Sequence, residues 1–105
     1  MEPIVLPDPA DQKPLWTQDE AIAFEVARET ISHLLSICTS EIADEERKAK
    51  PDKVLIGRLE ARFTALHQER ARLRLTDHAE VARISQEYGA LVHAWNRRQD
   101  TLAAE

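Results

Sequence analysis

The side chains with the widest chemical repertoire in this 105-residue chain are four histidines, His33, His67, His78 and His93, and one cysteine, Cys38. A metal site built on helices needs two ligands on one turn of one face, spaced H-x3-H or E-x-x-H. Neither spacing occurs. Glu29 and His33 are i,i+4 neighbours, and one such pair fits a surface hydrogen bond. Cys38 falls within a stripe of apolar residues and has no basic neighbour in the sequence, the pattern of an inert core thiol rather than a nucleophile. With two glycines in the chain there is no glycine-rich phosphate loop, and G-x-S-x-G is also absent. The expectation is therefore no catalytic residue, no metal, no cofactor and no enzyme.

The charged side chains carry more information. Net charge is −5, but the signs are segregated. Residues 17–46 hold eight acids against one base, and residues 47–75 hold nine bases against three acids. Helices of opposite charge lying side by side would explain this simply. An acidic segment facing a basic partner would explain it as well.

The elements that position these charges are helical. "TQDE" opens the first, with Thr17 and Glu20 spaced as a capping box. "SEIADEERKAKP" closes it: acids precede bases at i+4, Asp44 to Lys48 and Glu46 to Lys50, and Pro51 disfavours helix at Lys50. A second helix starts at Pro51 or Asp52, and a third at "TDHAE", where Asp77 and Glu80 have capping-box spacing. The apolar phase slips by one residue between Leu73 and Val81, which predicts a turn at Thr76-Asp77. The spacing thus predicts helices over 17–49, 52–75 and 77–100. Together they give an all-α fold, an antiparallel three-helix bundle with an extended proline-rich N-terminal arm over residues 1–16 and one bundle domain over 17–105.

Each helix has a stripe to bury. On the first it is Phe24, Ala27, Ile31, Leu34, Leu35, Cys38 and Ile42. On the second it is Leu55, Ile56, Leu59, Phe63, Leu66 and Leu73, with Arg70 among them as a snorkelling or ion-paired side chain. The third uses Val81, Ile84, Tyr88, Leu91, Trp95 and Leu102. Helix-interior Gly57 and Gly89 invite a packing reason such as close backbone approach.

Some residues do not fit this pattern. Ile22, Val26 and Ile37 project almost opposite the main stripe of the first helix and share that face with Glu29, His33, Ser40 and Asp44. Either the N-terminal arm covers this face, through Ile4-Val5-Leu6 with Trp16 stapling the start of the helix, or a partner or a second copy does; the arm itself is expected to strap the bundle at its Trp16 end and to face a partner at its Ile4 end. With the flanking acids Glu25 and Glu41, these residues are the candidate partner-binding set.

Nucleic acid is a weaker match. Lys53, Arg58, Arg62, Arg70, Arg72 and Arg74 make the second helix basic, but they are spread around it without interleaved aromatics. The third helix, which would read a groove, opens with "DHAE". No apolar run approaches the ~18–20 residues of a membrane span. The N-terminus lacks signal-peptide features, and one cysteine makes no internal disulfide, so a cytoplasmic location is expected.

In size, acidity and helical make-up the chain resembles the small helical immunity proteins and antitoxins that occlude a toxin's active site, and also small secretion chaperones. The resemblance is one of architecture. It implies a non-enzymatic inhibitor that binds a toxin or effector with a basic surface. The alternatives are a self-associating adaptor or chaperone, including a homodimer, and a nucleic-acid-binding regulator.

Overall fold

The computed structural model describes residues 16–104, and the readings for Ile4-Val5-Leu6 and the rest of the arm lie outside them. The described chain forms three helices, α1 (Gln18–Glu46), α2 (Lys53–Arg72) and α3 (His78–Ala104). The expected three-helix bundle is the fold. α1 and α2 run antiparallel and α3 returns alongside α1, so that His78 at the start of α3 reaches Glu20 at the start of α1.

The first helix begins where the sequence predicts. Thr17 is the N-cap: the Glu20 amide donates to Thr17 Oγ1 at 3.1 Å, and the Thr17 amide donates to Glu20 Oε1 at 2.9 Å. These bonds satisfy two of the amides that a helix start leaves unpaired. The bond from the Thr17 amide, followed by the contact with His78, holds the Glu20 carboxyl below its ordinary value. Trp16, expected to staple this end, remains 47% exposed.

The end of α1 differs from expectation. The helix stops at Glu46 rather than near Ala49. The i,i+4 pairs from Asp44 to Lys48 and from Glu46 to Lys50 are replaced by i,i+3 pairs, Asp44–Arg47 and Glu45–Lys48. Glu45 accounts for the change. Its side chain is buried, with Oε1 accepting the Asp52 amide at 2.9 Å and Oε2 lying 2.7 Å from Lys48 Nζ. It thereby ties the end of α1 to the N-cap of α2, where Asp52 accepts the Leu55 amide at 3.1 Å.

A pH dependence follows from this carboxylate. The bond from Lys48, then that from the Asp52 amide, lowers the Glu45 pKa below 4.5. A carboxyl whose folded pKa is depressed adds stability above its unfolded pKa and loses it as pH falls through the folded value. Glu45→Gln is therefore expected to lower the melting temperature at pH 7. The difference from the parent protein should shrink as pH drops below about 4, near the unfolded carboxyl pKa. Melting curves from pH 7 to pH 2.5 check this, and a gap that is constant across the range would exclude the linkage.

Between α2 and α3 the chain turns over residues 73–77, where the phase slip requires it, with the Asp77 amide bonded to Arg74 O at 3.0 Å. The expected Asp77–Glu80 capping box is not the arrangement found. Glu80 is drawn away by Arg83, which donates to it through Nε at 3.1 Å and Nη2 at 2.9 Å. A bidentate charged pair outcompetes a single bond to a backbone amide. The Arg83 guanidinium also reaches Glu87 at 3.1 Å and, across the helix boundary, Glu69 of α2 at 3.2 Å, and lies 5.4 Å from the centre of the Tyr88 ring.

The core centres on α1. Ala27, Ile31, Leu34 and Cys38 are buried with Leu66 of α2 and Val81 and Ile84 of α3; Phe24, Leu35, Phe63, Leu73, Tyr88 and Val92 close around them. α1 packs on both other helices, whereas no Cα of α2 lies within 8 Å of a Cα of α3. α2 and α3 are thus splayed across α1 and meet through long side chains. The apolar stripes outrun this contact. Leu55, Leu91 and Leu102, expected in the core, are exposed at 38%, 44% and 58%.

Neither glycine has the expected packing role. A Cβ built on Gly57 or Gly89 meets nothing within 4 Å, and neither has positive φ. Each costs helix propensity without a compensating contact, so Gly57→Ala and Gly89→Ala should each stabilise the fold by about 0.5–1 kcal/mol. Urea unfolding checks this, and a loss of stability would reveal a close approach at these backbones.

Candidate protein-docking site on the first helix

A 29-residue helix flanked by two others can bury only the side turned toward them. The residues on its far side are Ile22, Val26, Glu29 and His33, all exposed, with Ile22 at 54% and Val26 at 49%. Glu25 flanks this row and is exposed, and Asp44 continues it at the other end of the helix. The start of α1 thus presents two large aliphatic side chains in a setting of carboxylates.

Two members of the expected set are placed differently. Ile37 is half-buried and packs against the core cluster, and the groove beside it is lined by Val92 and Trp95 of α3. The drift of a straight helix past its neighbour explains this: the outer face at Ile22 has turned toward α3 fifteen residues later. Glu41 is likewise half-buried, in the cleft where α2 and α3 diverge. The structure therefore brings Ile22, Glu25, Val26 and Glu29 together; His33 ends that row and also lines the groove beside Ile37, while Glu41 and Asp44 lie farther along the helix.

The electrostatics of the face depend on what the carboxylates touch. Side-by-side pairing of acidic α1 with basic α2 predicts ion pairs between them. Among the described residues no such pair forms within 4 Å. Glu25 pairs with Arg28 of its own helix at 3.4 Å, and Glu20 with His78 of α3. Asp19 and Glu29 have no salt bridge among the described residues, and neither do Lys53, Arg58, Arg62, Arg70 or Arg72 of α2. An interhelical ion pair for Arg70 is not found either: its Nε is buried without a hydrogen-bond partner. Apart from the Asp44–Arg47 and Glu45–Lys48 pairs at their junction, no ion pair within 4 Å joins the two charge sets among the described residues.

The remaining candidates for chemistry are placed as follows. Cys38 is 4% exposed, and burial pushes its thiol up, with Arg62 opposing; a thiol so placed is a poor nucleophile at neutral pH. Among the described residues no group of three His, Cys, Asp or Glu side chains converges as a metal site would, and no helix is long and apolar enough to cross a membrane. Glu45, the Glu20–His78 contact and the Arg83 cluster are the polar features that sequence reasoning missed. Each joins residues from different segments or turns a charge inward, which periodicity does not register. Comparison with protein-family models, with curated proteins and with solved structures finds no match.

Proposed function

We propose that this chain is a non-enzymatic protein-binding module. It acts as an acidic helical inhibitor, in the manner of an immunity protein or antitoxin, that covers a basic site on a toxin or effector. The outer face of α1 is its recognition surface. Ile22 and Val26 anchor the contact by leaving water, and Asp19, Glu25 and Glu29 steer the approach and select a basic partner.

The observation that carries this reading is the coincidence of the two properties on one face. Ile22 and Val26 remain about half exposed, and the carboxylates around them are not neutralised by the bases of α2. Exposed aliphatics alone are ordinary, as are exposed acids. Their combination in adjacent helical turns is that of an interface centre with a charged rim.

Capture from lysate of the source cells tests the proposal. The immobilised protein should retain a basic protein, and Glu25→Lys/Glu29→Lys should retain at least about tenfold less of it, with most of the loss in the association rate. Bound protein should be released by about 1 M salt, where the screening length is about 3 Å. An acidic captured protein, or the same retention by the parent and the double variant, would overturn the reading.

A further inference from the structure

From the Glu20–His78 contact onward, α1 and α3 run side by side in the same direction and leave a groove between them. Two hollows lie along it. One, of about 500 Å³ at the start of the helices, is walled by Asp19 and Ala23 of α1 and Ala82 and Ser85 of α3. The other, of about 230 Å³ farther along, is walled by His33 and Ile37 of α1 and Val92 and Asn96 of α3. No residue of α2, and no Lys or Arg, lines either hollow. Gly89 of α3 lies between them, and the space above it is open: a Cβ built there meets nothing within 4 Å.

The two walls share one repeat. Ala23, Val26, Thr30, His33 and Ile37 follow one another on α1 at steps of three, four, three and four residues, and Ala82, Ser85, Gly89, Val92 and Asn96 do the same on α3. The offset between the walls is a constant 59 residues, next to the 58 that separate Glu20 from His78, which touch. The walls are therefore in register. Alternating steps of three and four make the seam along which helices pack, and two such seams bordering one groove have the period of a further helix. An extended segment, with side chains repeating every two residues, does not match it. From Asp19 to Ser40, at the two ends of the groove on α1, the length is about 32 Å, that of a helix of about three heptads.

Charge selects the occupant. Asp19 and Glu29 stand on the α1 side without a salt bridge among the described residues, and Glu25 beside them pairs with Arg28 of its own helix. Residues 1–15 of the chain itself bring three acids and one base, the wrong sign for this rim. We infer that the groove between α1 and α3 seats an amphipathic basic helix of the partner protein, which completes a four-helix bundle. Aliphatic side chains of that helix cover Val26, 49% exposed, and fill the space over Gly89, while its Lys or Arg side chains meet Asp19, Glu25 and Glu29. This rests on the recognition surface of the proposed function and extends it: α1 supplies one wall and the charge, and α3 supplies the other wall.

A synthetic peptide of about three heptads, with leucine at a and d and lysine at e and g, is the probe. It is titrated into the isotope-labelled full chain and followed by nuclear magnetic resonance. Amide shifts should move along both walls, at Ala23, Val26 and Thr30 and at Ala82, Ser85 and Gly89, with Val54 and Arg58 of α2 unmoved. Gly89→Arg should weaken the peptide at least about tenfold, because a long cation then occupies the floor of the groove. Ala90→Arg adds the same charge one residue on, about 100° round α3, and should weaken it less than about twofold. The open space at Gly89 and the exposure of Ala90 leave room for either arginine, and melting curves establish that both variants fold.

No binding, shifts confined to α1, shifts centred on α2, or equal losses from Gly89→Arg and Ala90→Arg would each overturn the inference. So would nuclear Overhauser contacts from the Ile4, Val5 or Leu6 methyls to Gly89 in the protein alone, or a dimer mass with the amides of both walls protected. Those results give the groove to the chain's own arm or to a second copy. The proposed function is judged separately, by the lysate capture. A basic protein retained by Gly89→Arg as by the parent, yet lost on Glu25→Lys/Glu29→Lys, would remove the groove and keep the outer face of α1.

Discussion

Ile84→Ala and Ile31→Ala are each expected to lower the unfolding free energy by about 2–5 kcal/mol, the largest effects on stability in this fold. Both side chains are fully buried, and they come from the two helices that run side by side. Removing three carbons from either leaves a void that can close only if α1 and α3 approach each other. Leu34, Leu66 and Val81, packed around them, resist that movement. A domain of this size has about 5–15 kcal/mol in total, so each variant should melt far below the parent protein and the two together should not fold. Urea unfolding of both measures the loss. A change below about 1 kcal/mol would mean that α1 and α3 are not held together by this core.

Val26→Arg has the opposite profile, a large effect on binding with little on stability. Val26 is 49% exposed and is not part of the core cluster. Arginine has the better helix propensity, and a surface substitution of this kind changes stability by about 0.5 kcal/mol or less. At the proposed interface the change would remove an aliphatic anchor and set a cation against a basic partner. Loss of a central anchor costs about 2 kcal/mol or more, which is about thirtyfold or more in Kd. Titration of the purified partner against both proteins by calorimetry, with melting curves alongside, checks the two halves together. An unfolded variant would place Val26 in the core. Unchanged affinity in a folded variant would place the interface elsewhere.

The fold was legible because its signals are local and periodic. Thr17 with Glu20, Pro51 before Asp52, and the phase slip after Leu73 mark element boundaries through backbone geometry and capping, which depend on residues a few positions apart. The helix ends were less legible where a side chain does something periodicity does not encode. Glu45 reads as one more acid in an acidic run, yet it folds back onto the Asp52 amide and ends α1 three residues early. Glu80 reads as a capping acid, but Arg83 one turn later takes both of its oxygens.

The candidate site was legible in part for the same reason. The angular position of Ile22 and Val26 gives their exposure directly, because among the described residues the start of α1 has neighbours on one side only. Ile37 shares their angle but not their surroundings, since α3 closes over α1 along that half. Leu91 and Leu102 continue a clean stripe in the sequence, yet both are exposed because α2 and α3 diverge before reaching them. Periodicity states which way a side chain points from its own helix; whether another helix stands there depends on splay, which no single stretch encodes.

Side-chain footprinting of the bound complex tests the central claim most directly, namely that α1 has a second aliphatic face that its own bundle leaves uncovered and a basic protein covers. Labelling by a short-lived carbene or hydroxyl radical reads the solvent access of each side chain, compared between the protein alone at a concentration too low for self-association and the protein bound to its captured partner. The account predicts strong protection of Ile22 and Val26 on binding, with Val54, 66% exposed on α2, labelled as before. Unchanged labelling of Ile22 and Val26 alongside protection of another surface would contradict it.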